Sequence, residues 1–172
     1  MTLSANTLAT ELEKMVPTDD EAEAIDAFTS AFEIYFYEAA AGAIVVADES
    51  LVDATAALKG AMTGLNTDAA LAMFTGITAF WGIVATAAAD IFYDEVETAA
   101  PLGPAIAAIP PLVGLPALQA AITAAFVSNK EGKLDLSDSA AALASAIHSK
   151  QLGGICTFPA ISLGGLGPLA IL

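Results

Sequence analysis

The sequence predicts a mainly α-helical fold, a compact bundle of about five to six helices followed by an extended C-terminal arm. Apolar residues recur at three- and four-residue intervals along most of residues 1–150. Capping residues precede these segments, and glycine or proline separates them. We therefore expect one helical domain over 1–150, in which 1–16 form an N-terminal docking helix, and an apolar arm over 151–172.

Pro17 separates the first two predicted helices. The first is short, from about residue 4 to residue 15, and ends before the proline. The Thr-Asp-Asp-Glu sequence that follows has the pattern of a capping box, with Thr18 as the N-cap and Glu21 reaching back to it. The amphipathic helix that starts here is expected to run to about Ala40.

Two further helices are predicted between Ser50 and residue 93. Residues 44–46 are expected to be extended, and Ser50 is a candidate N-cap for a third helix that ends near Gly64. Asp68 caps a fourth helix, expected to run to about residue 93 as the central member of the bundle because it is apolar on nearly all sides. We expect the second and fourth helices to pack through their aromatic residues, which are Phe32, Tyr35, Phe36, Tyr37, Phe74, Phe80, Trp81, Phe92 and Tyr93.

The last two helices are predicted after a proline-rich crossing. Pro116 is placed as the first residue of a fifth helix, which closes over residues 128–132. Ser137 is predicted to cap a sixth helix that stops at Gly153 and Gly154. The arm beyond them is expected to form an interface with another subunit through Ile155, Phe158, Ile161, Leu163, Leu166, Leu169, Ile171 and Leu172.

Charge is distributed unevenly along the chain. Residues 1–97 contain 17 of the 20 acidic residues and two of the five lysines, and so carry the whole net charge of −15. Residues 98–129 and 151–172 carry no charged side chain. We expect a partner to cover the uncharged apolar arm while the acidic part faces water. The acidity, together with the absence of arginine, excludes nucleic-acid binding.

A membrane span is the first alternative. Residues 69–89 are 21 residues without a charge, which is long enough to cross a bilayer. Alanine, threonine and glycine dominate the segment, and both its flanks are acidic, so a buried core helix is favoured over a span. No signal peptide is recognised at the N-terminus, and the single cysteine excludes an intrachain disulfide, so we expect synthesis in a cytoplasm.

His148 and Cys156 are the only histidine and cysteine. A nucleophilic Cys-His pair would have to form in space, and no acidic residue lies near either one in sequence. A packed cysteine and a histidine bonded to the last carbonyls of its helix are favoured. The acidic runs at 19–23 and 94–97 lack the spacing of a calcium loop, and the glycines at 164–167 lack the context of a phosphate loop. We expect no catalytic, cofactor or metal site.

Short segments occur in a characteristic order over about residues 66–159: Thr78–Trp81, Ile109–Leu112, Leu118–Phe126 with Asn129, Ala141–His148, Gly153-Gly154 and Thr157–Pro159. This order resembles small Ala-rich structural proteins of tailed bacteriophages. The resemblance implies a non-enzymatic virion structural protein of the tail, neck or head surface, assembled in several symmetric copies in the host cytoplasm. Its partners would be itself and other virion structural proteins. The alternatives are a membrane-associated helical protein and a small ligand-binding or enzymatic helical domain.

Overall fold

The computed structural model describes residues 3–16, 18–41, 44–46, 50–65, 68–93, 107–109, 115–130, 135–151, 155–157 and 169–170. This part of the chain is mainly helical, which confirms the prediction of a mainly α-helical fold. In chain order its elements are α1 (Ala5–Glu13), α2 (Glu21–Phe36), β1 (Ala40–Ala41), β2 (Ile44–Val46), α3 (Val52–Met62), α4 (Ala69–Thr86), α5 (Ala88–Ile91), β3 (Phe92–Tyr93), β4 (Ala107–Ile109), α6 (Leu115–Lys130), α7 (Leu136–Gln151), β5 (Ile155–Thr157) and β6 (Leu169–Ala170). The strands form two small antiparallel sheets, of order β1-β2-β3 and β4-β5-β6.

The start of α2 is capped by an aspartate. Oδ1 of Asp20 accepts hydrogen bonds from the backbone N–H groups of Ala22 and Glu23. The predicted N-cap, Thr18, is therefore wrong: its hydroxyl accepts from the N–H of Asp20 instead. Glu21 also does not reach back, because its Oε1 accepts from the N–H of Gly64 at 2.7 Å. The Asp20 carboxylate is favoured as the cap because it places a negative charge at the positive end of the helix dipole.

Aspartates also start α4 and α7. Oδ1 of Asp68 accepts from the third residue of α4, as predicted. At α7 the predicted N-cap, Ser137, is wrong, because Oδ1 of Asp135 accepts from the N–H of Asp138. The Ser137 hydroxyl donates to Oε1 of Glu13 at 2.7 Å and so links α7 to the end of α1.

Two predicted helices end before the expected residue. α2 ends at Phe36 instead of Ala40, because the chain turns there and β1 pairs with β2. The helix expected over 68–93 breaks at Ala87, whose backbone leaves the helical region. Beyond the short α5 the chain is extended, and Phe92 pairs with Val46 of β2. Strand pairing has overridden local helix propensity at both positions.

Two helix starts are displaced by one residue. The sequence predicts Ser50 as the N-cap of α3, but the N-cap is Leu51. Leu51 makes no side-chain capping bond. Pro116, predicted as the first residue of its helix, is the second residue of α6. Proline is tolerated there because the first N–H groups of a helix have no acceptor within it.

Among the residues that the structure describes, the helices enclose one continuous hydrophobic core. α4 packs along α3 and contacts α6 and β4, whereas α1 packs against α2 and α7, and α7 against α6. Phe80 of α4 makes edge-to-face contacts with Phe32 at 5.1 Å and with Phe36 at 4.7 Å between ring centroids. These contacts confirm that the second and fourth predicted helices pack through aromatic residues.

α4 is long and apolar enough to cross a membrane by length and composition, with a mean hydropathy of 1.6 over 18 residues. In the folded protein, 44% of these residues are buried, among them Ile77, Phe80 and Trp81. A core helix meets the same criteria of length and composition. The buried face of α4 has the packing expected of such a core helix.

Candidate functional site

The predicted interface residues belong to the segment that contains β5 and β6. Ile155 pairs with Ile109 on one side and with Ala170 on the other, and Leu169 pairs with Cys156. Within the chain, β5 therefore pairs with β4 and β6 pairs with β5. Among the described strands of this sheet, β5 lies in the centre and β6 at an edge. The remaining predicted interface residues lie outside the described part of the chain: Phe158, Ile161, Leu163, Leu166, Ile171 and Leu172.

His148 reaches across from α7 to α2. Its Nδ1 lies 3.0 Å from the hydroxyl of Tyr35, whereas a contact with the last carbonyls of its own helix was expected. Burial lowers the pKa of His148. Burial, and then the charge of Glu38, raises the pKa of Tyr35 far above its ordinary value. The imidazole is therefore neutral and the phenol protonated near neutral pH, and the tautomer of the imidazole decides which of the two groups donates the hydrogen bond.

Gln151 connects the same face of α7 to α4. This side chain is fully buried, and its Oε1 accepts a hydrogen bond from Nε1 of Trp81. Its Nε2 has no hydrogen-bond partner within the described residues. His148 and Gln151 are three residues apart and so lie on one side of the helix. We call Tyr35, Trp81, His148 and Gln151 the α7 clamp, because their two hydrogen bonds join α7 to α2 and α4.

The clamp predicts a pH dependence of stability. Because folding lowers the pKa of His148 below its ordinary value of 6.5, the unfolded chain binds the proton more readily than the folded one. The contribution of His148 is complete above pH 6.5 and declines as the pH falls below it. We expect the free energy of unfolding, from urea titrations followed by circular dichroism, to decrease between about pH 7.5 and pH 5.5.

The variants of the clamp isolate this effect. His148→Gln should remove the pH dependence over that interval, because the chain has no other histidine. Tyr35→Phe should lower the free energy of unfolding by about 1 kcal/mol at pH 7.5, through loss of one hydrogen bond. An equal pH dependence in His148→Gln and in the unmodified protein would contradict the assignment.

An open apolar groove lies toward the N-terminal ends of α2, α4 and α7, whereas the α7 clamp lies toward their C-terminal ends. It comprises a cavity of about 620 Å³ and a second of about 350 Å³, which share five lining residues. We call both together the methionine groove. Its lining is Leu12, Met15, Val16, Thr18, Asp19, Asp20, Glu21, Ala24, Ile25, Phe28, Met62, Leu65, Ala69, Ala72, Met73, Ala125, Phe126, Leu136, Ser139, Ala140 and Leu143. The groove has no signal in the sequence, because helical spacing predicts which residues are buried and not that six helices leave a gap between them.

Among the residues that the structure describes, no three His, Cys, Asp or Glu side chains form a group that could hold a metal ion. The comparisons with protein-family models, curated proteins and solved structures found no match for this chain. The features that bear on function are therefore the paired arm, the α7 clamp, the methionine groove and the distribution of charge.

Proposed function

We propose that the protein is a non-enzymatic structural subunit of a tailed-phage particle, where it assembles with copies of itself and with other virion structural proteins. We place it in the tail or neck in preference to the head surface. The observation that carries the proposal is that β6 is an edge strand among those that the structure describes and lies in a segment, 151–172, without a charged side chain. The sequence resemblance to phage structural proteins points the same way.

An edge strand supports assembly because one side of its backbone is not paired within the sheet. Such N–H and C=O groups accept a further strand from another chain, in the manner of strand addition. In the described part of the chain, β6 pairs with β5 alone and so occupies this position. We propose that a neighbouring copy pairs there, with the apolar residues of the arm covered in the contact.

The charge distribution also supports assembly through the arm. The net charge of −15 arises from residues 1–97, so contacts made by those surfaces of two copies are repulsive. Residues 151–172 contribute no charged side chain, and copies that meet there avoid most of this repulsion. The arrangement favours a symmetric assembly with the acidic parts outward and the arms inward.

The α7 clamp is consistent with a structural role. The chain's only histidine and its buried glutamine both hydrogen-bond to side chains of other helices. These bonds fix α7, which is followed directly in the chain by the arm. Because α7 is held in place, the position at which the arm begins is also fixed.

The self-association can be measured by sedimentation velocity from about 10 μM to about 1 mM protein. We expect concentration-dependent oligomers, weakened about tenfold in affinity by Leu169→Lys, because this change places a charge in β6. The matched control is Val52→Lys, a change of the same charge at a residue that is 63% exposed on α3. A chain that stays monomeric at every concentration would contradict the proposal, as would equal effects of both substitutions.

The place in the particle can be tested by quantitative mass spectrometry of gradient-purified virions from a phage whose genome encodes this chain. We expect the chain at a fixed copy number per particle, as in a symmetric ring or layer. Absence from purified particles would refute the virion role. Recovery in the host membrane fraction would favour the alternative in which α4 spans a bilayer.

A further inference from the structure

The methionine groove has apolar side chains at its surface without a covering element among the described residues. Val16 is 79% exposed and Leu136 is 58% exposed, and both border the smaller cavity. Met15 and Phe126 are half-buried and line both cavities. Apolar surface of this kind, rimmed by polar residues, marks a site of interaction with another molecule.

The larger cavity has a negative rim. Asp19, Asp20 and Glu21 lie along it where the chain enters α2. The carboxylates of Asp20 and Glu21 accept hydrogen bonds from backbone N–H groups. Within the described residues, no cationic side chain forms an ion pair with any of the three acids. The rim therefore carries negative charge that a bound partner can neutralise.

We infer that the methionine groove binds an amphipathic helical segment of a partner protein, with large apolar residues on one face and lysine or arginine beside them. Methionine side chains are flexible and polarisable, and suit a groove that adapts to the apolar face of a helix. The acidic rim would select a segment with basic flanks. This inference does not rest on the proposed role in a virion.

Charge favours such a partner over a second copy of this chain. The chain has 20 acidic residues against five lysines, and its apolar helix segment Ala117–Val127 carries no cation. If that segment of a second copy bound in the groove, it would bring another highly acidic chain close to the acidic rim. No positive charge on the segment would offset the repulsion. A basic segment gains both the apolar contact and the attraction of the rim.

The test uses a synthetic Leu/Lys peptide of about 18 residues, designed as an amphipathic helix. Binding is followed by NMR of the methionine methyl groups, a selective readout because three of the four methionines, Met15, Met62 and Met73, line the groove. We expect saturable shifts of these three signals. A Leu/Glu peptide with the same apolar face should bind at least about tenfold more weakly, because its charges are repelled by the rim.

Protein variants locate the site on the chain. Ala24→Trp should weaken Leu/Lys binding about tenfold, since Ala24 lines both cavities and the larger side chain fills them. Ala125→Trp obstructs the smaller cavity from α6 and serves if Ala24→Trp does not fold. The matched control is Ala56→Trp, on an exposed position of α3 away from the groove, which should bind like the unmodified chain. Asp19→Asn should weaken binding, whereas Asp53→Asn should not.

Several results would overturn the inference. Equal binding of the Leu/Glu peptide would show that the rim does not select charge. Equal binding of a scrambled Leu/Lys peptide, without movement of the three methionine signals, would show general attraction to an acidic protein. Methionine shifts that appear on concentrating the protein alone would identify a second copy as the occupant.

Discussion

Phe36→Ala is expected to lower the free energy of unfolding by about 4 kcal/mol, or about 10 °C in melting temperature. Phe36 is fully buried at the end of α2. Its ring contacts those of Phe80 at 4.7 Å, Trp81 at 5.5 Å and Phe92 at 6.5 Å between centroids. Truncation removes these contacts and leaves a cavity where α2, α4 and β3 meet.

The Phe36 experiment needs two comparisons. Phe36→Leu keeps most of the volume and should cost about 1.5 kcal/mol, which remains measurable if the alanine variant does not fold. Ile34→Ala, on the same helix at a residue that is 46% exposed, should cost less than about 1 kcal/mol. Guanidinium unfolding followed by far-ultraviolet circular dichroism measures the free energy of unfolding of all three variants. A decrease of less than about 1 kcal/mol in Phe36→Ala would contradict the role of Phe36 in the core.

Much of this core could be predicted from the sequence. The spacing of Phe32 and Phe36 predicts one buried face on α2, and the composition of 69–86 predicts a buried helix, so their packing follows. The position of Phe92 could not be predicted in this way. The sequence predicts Phe92 in the same helix as Trp81, because no glycine or proline near Ala87 marks the break.

The caps show the limit of local rules. Thr18 and Ser137 fit a capping pattern, and in each case an aspartate two residues away takes the role. Sequence spacing cannot choose between neighbouring cap residues, because the choice depends on contacts such as that of Ser137 with Glu13.

The candidate sites were less predictable than the fold. The bond of Tyr35 to His148 joins residues 113 positions apart, and that of Trp81 to Gln151 joins residues 70 apart. Neither pair has a local sequence signal, because such partners meet only through tertiary packing. The arm was recognised from its lack of charge, but its pairing with β4 depends on the crossing between α5 and α6. Only the acidic rim of the methionine groove follows from adjacent residues in the sequence.

Gly76 and Gly82 predict opposite effects of one substitution on the same helix. An added Cβ at Gly76 would lie 2.6 Å from Cγ of Met62 and 3.1 Å from the carbonyl oxygen of Leu58. Gly76 therefore allows the close approach of α3 to α4. An added Cβ at Gly82 meets nothing within 4 Å. Helical spacing could not distinguish the two glycines, since α4 is apolar around most of its circumference.

Gly76→Ala should lower the free energy of unfolding by about 1–2 kcal/mol, because the cost of overpacking exceeds the gain of about 1 kcal/mol in helix propensity. Gly82→Ala should raise it by about 0.5–1 kcal/mol, because the same propensity gain meets no steric opposition. Urea titrations of both variants, made at one pH, give the comparison. Met62→Ala removes the side chain that the new methyl group would meet, so Gly76→Ala should cost less in that background. If Gly76→Ala and Gly82→Ala both raised the free energy of unfolding, α3 and α4 would not be held so closely that an added Cβ at Gly76 meets Met62.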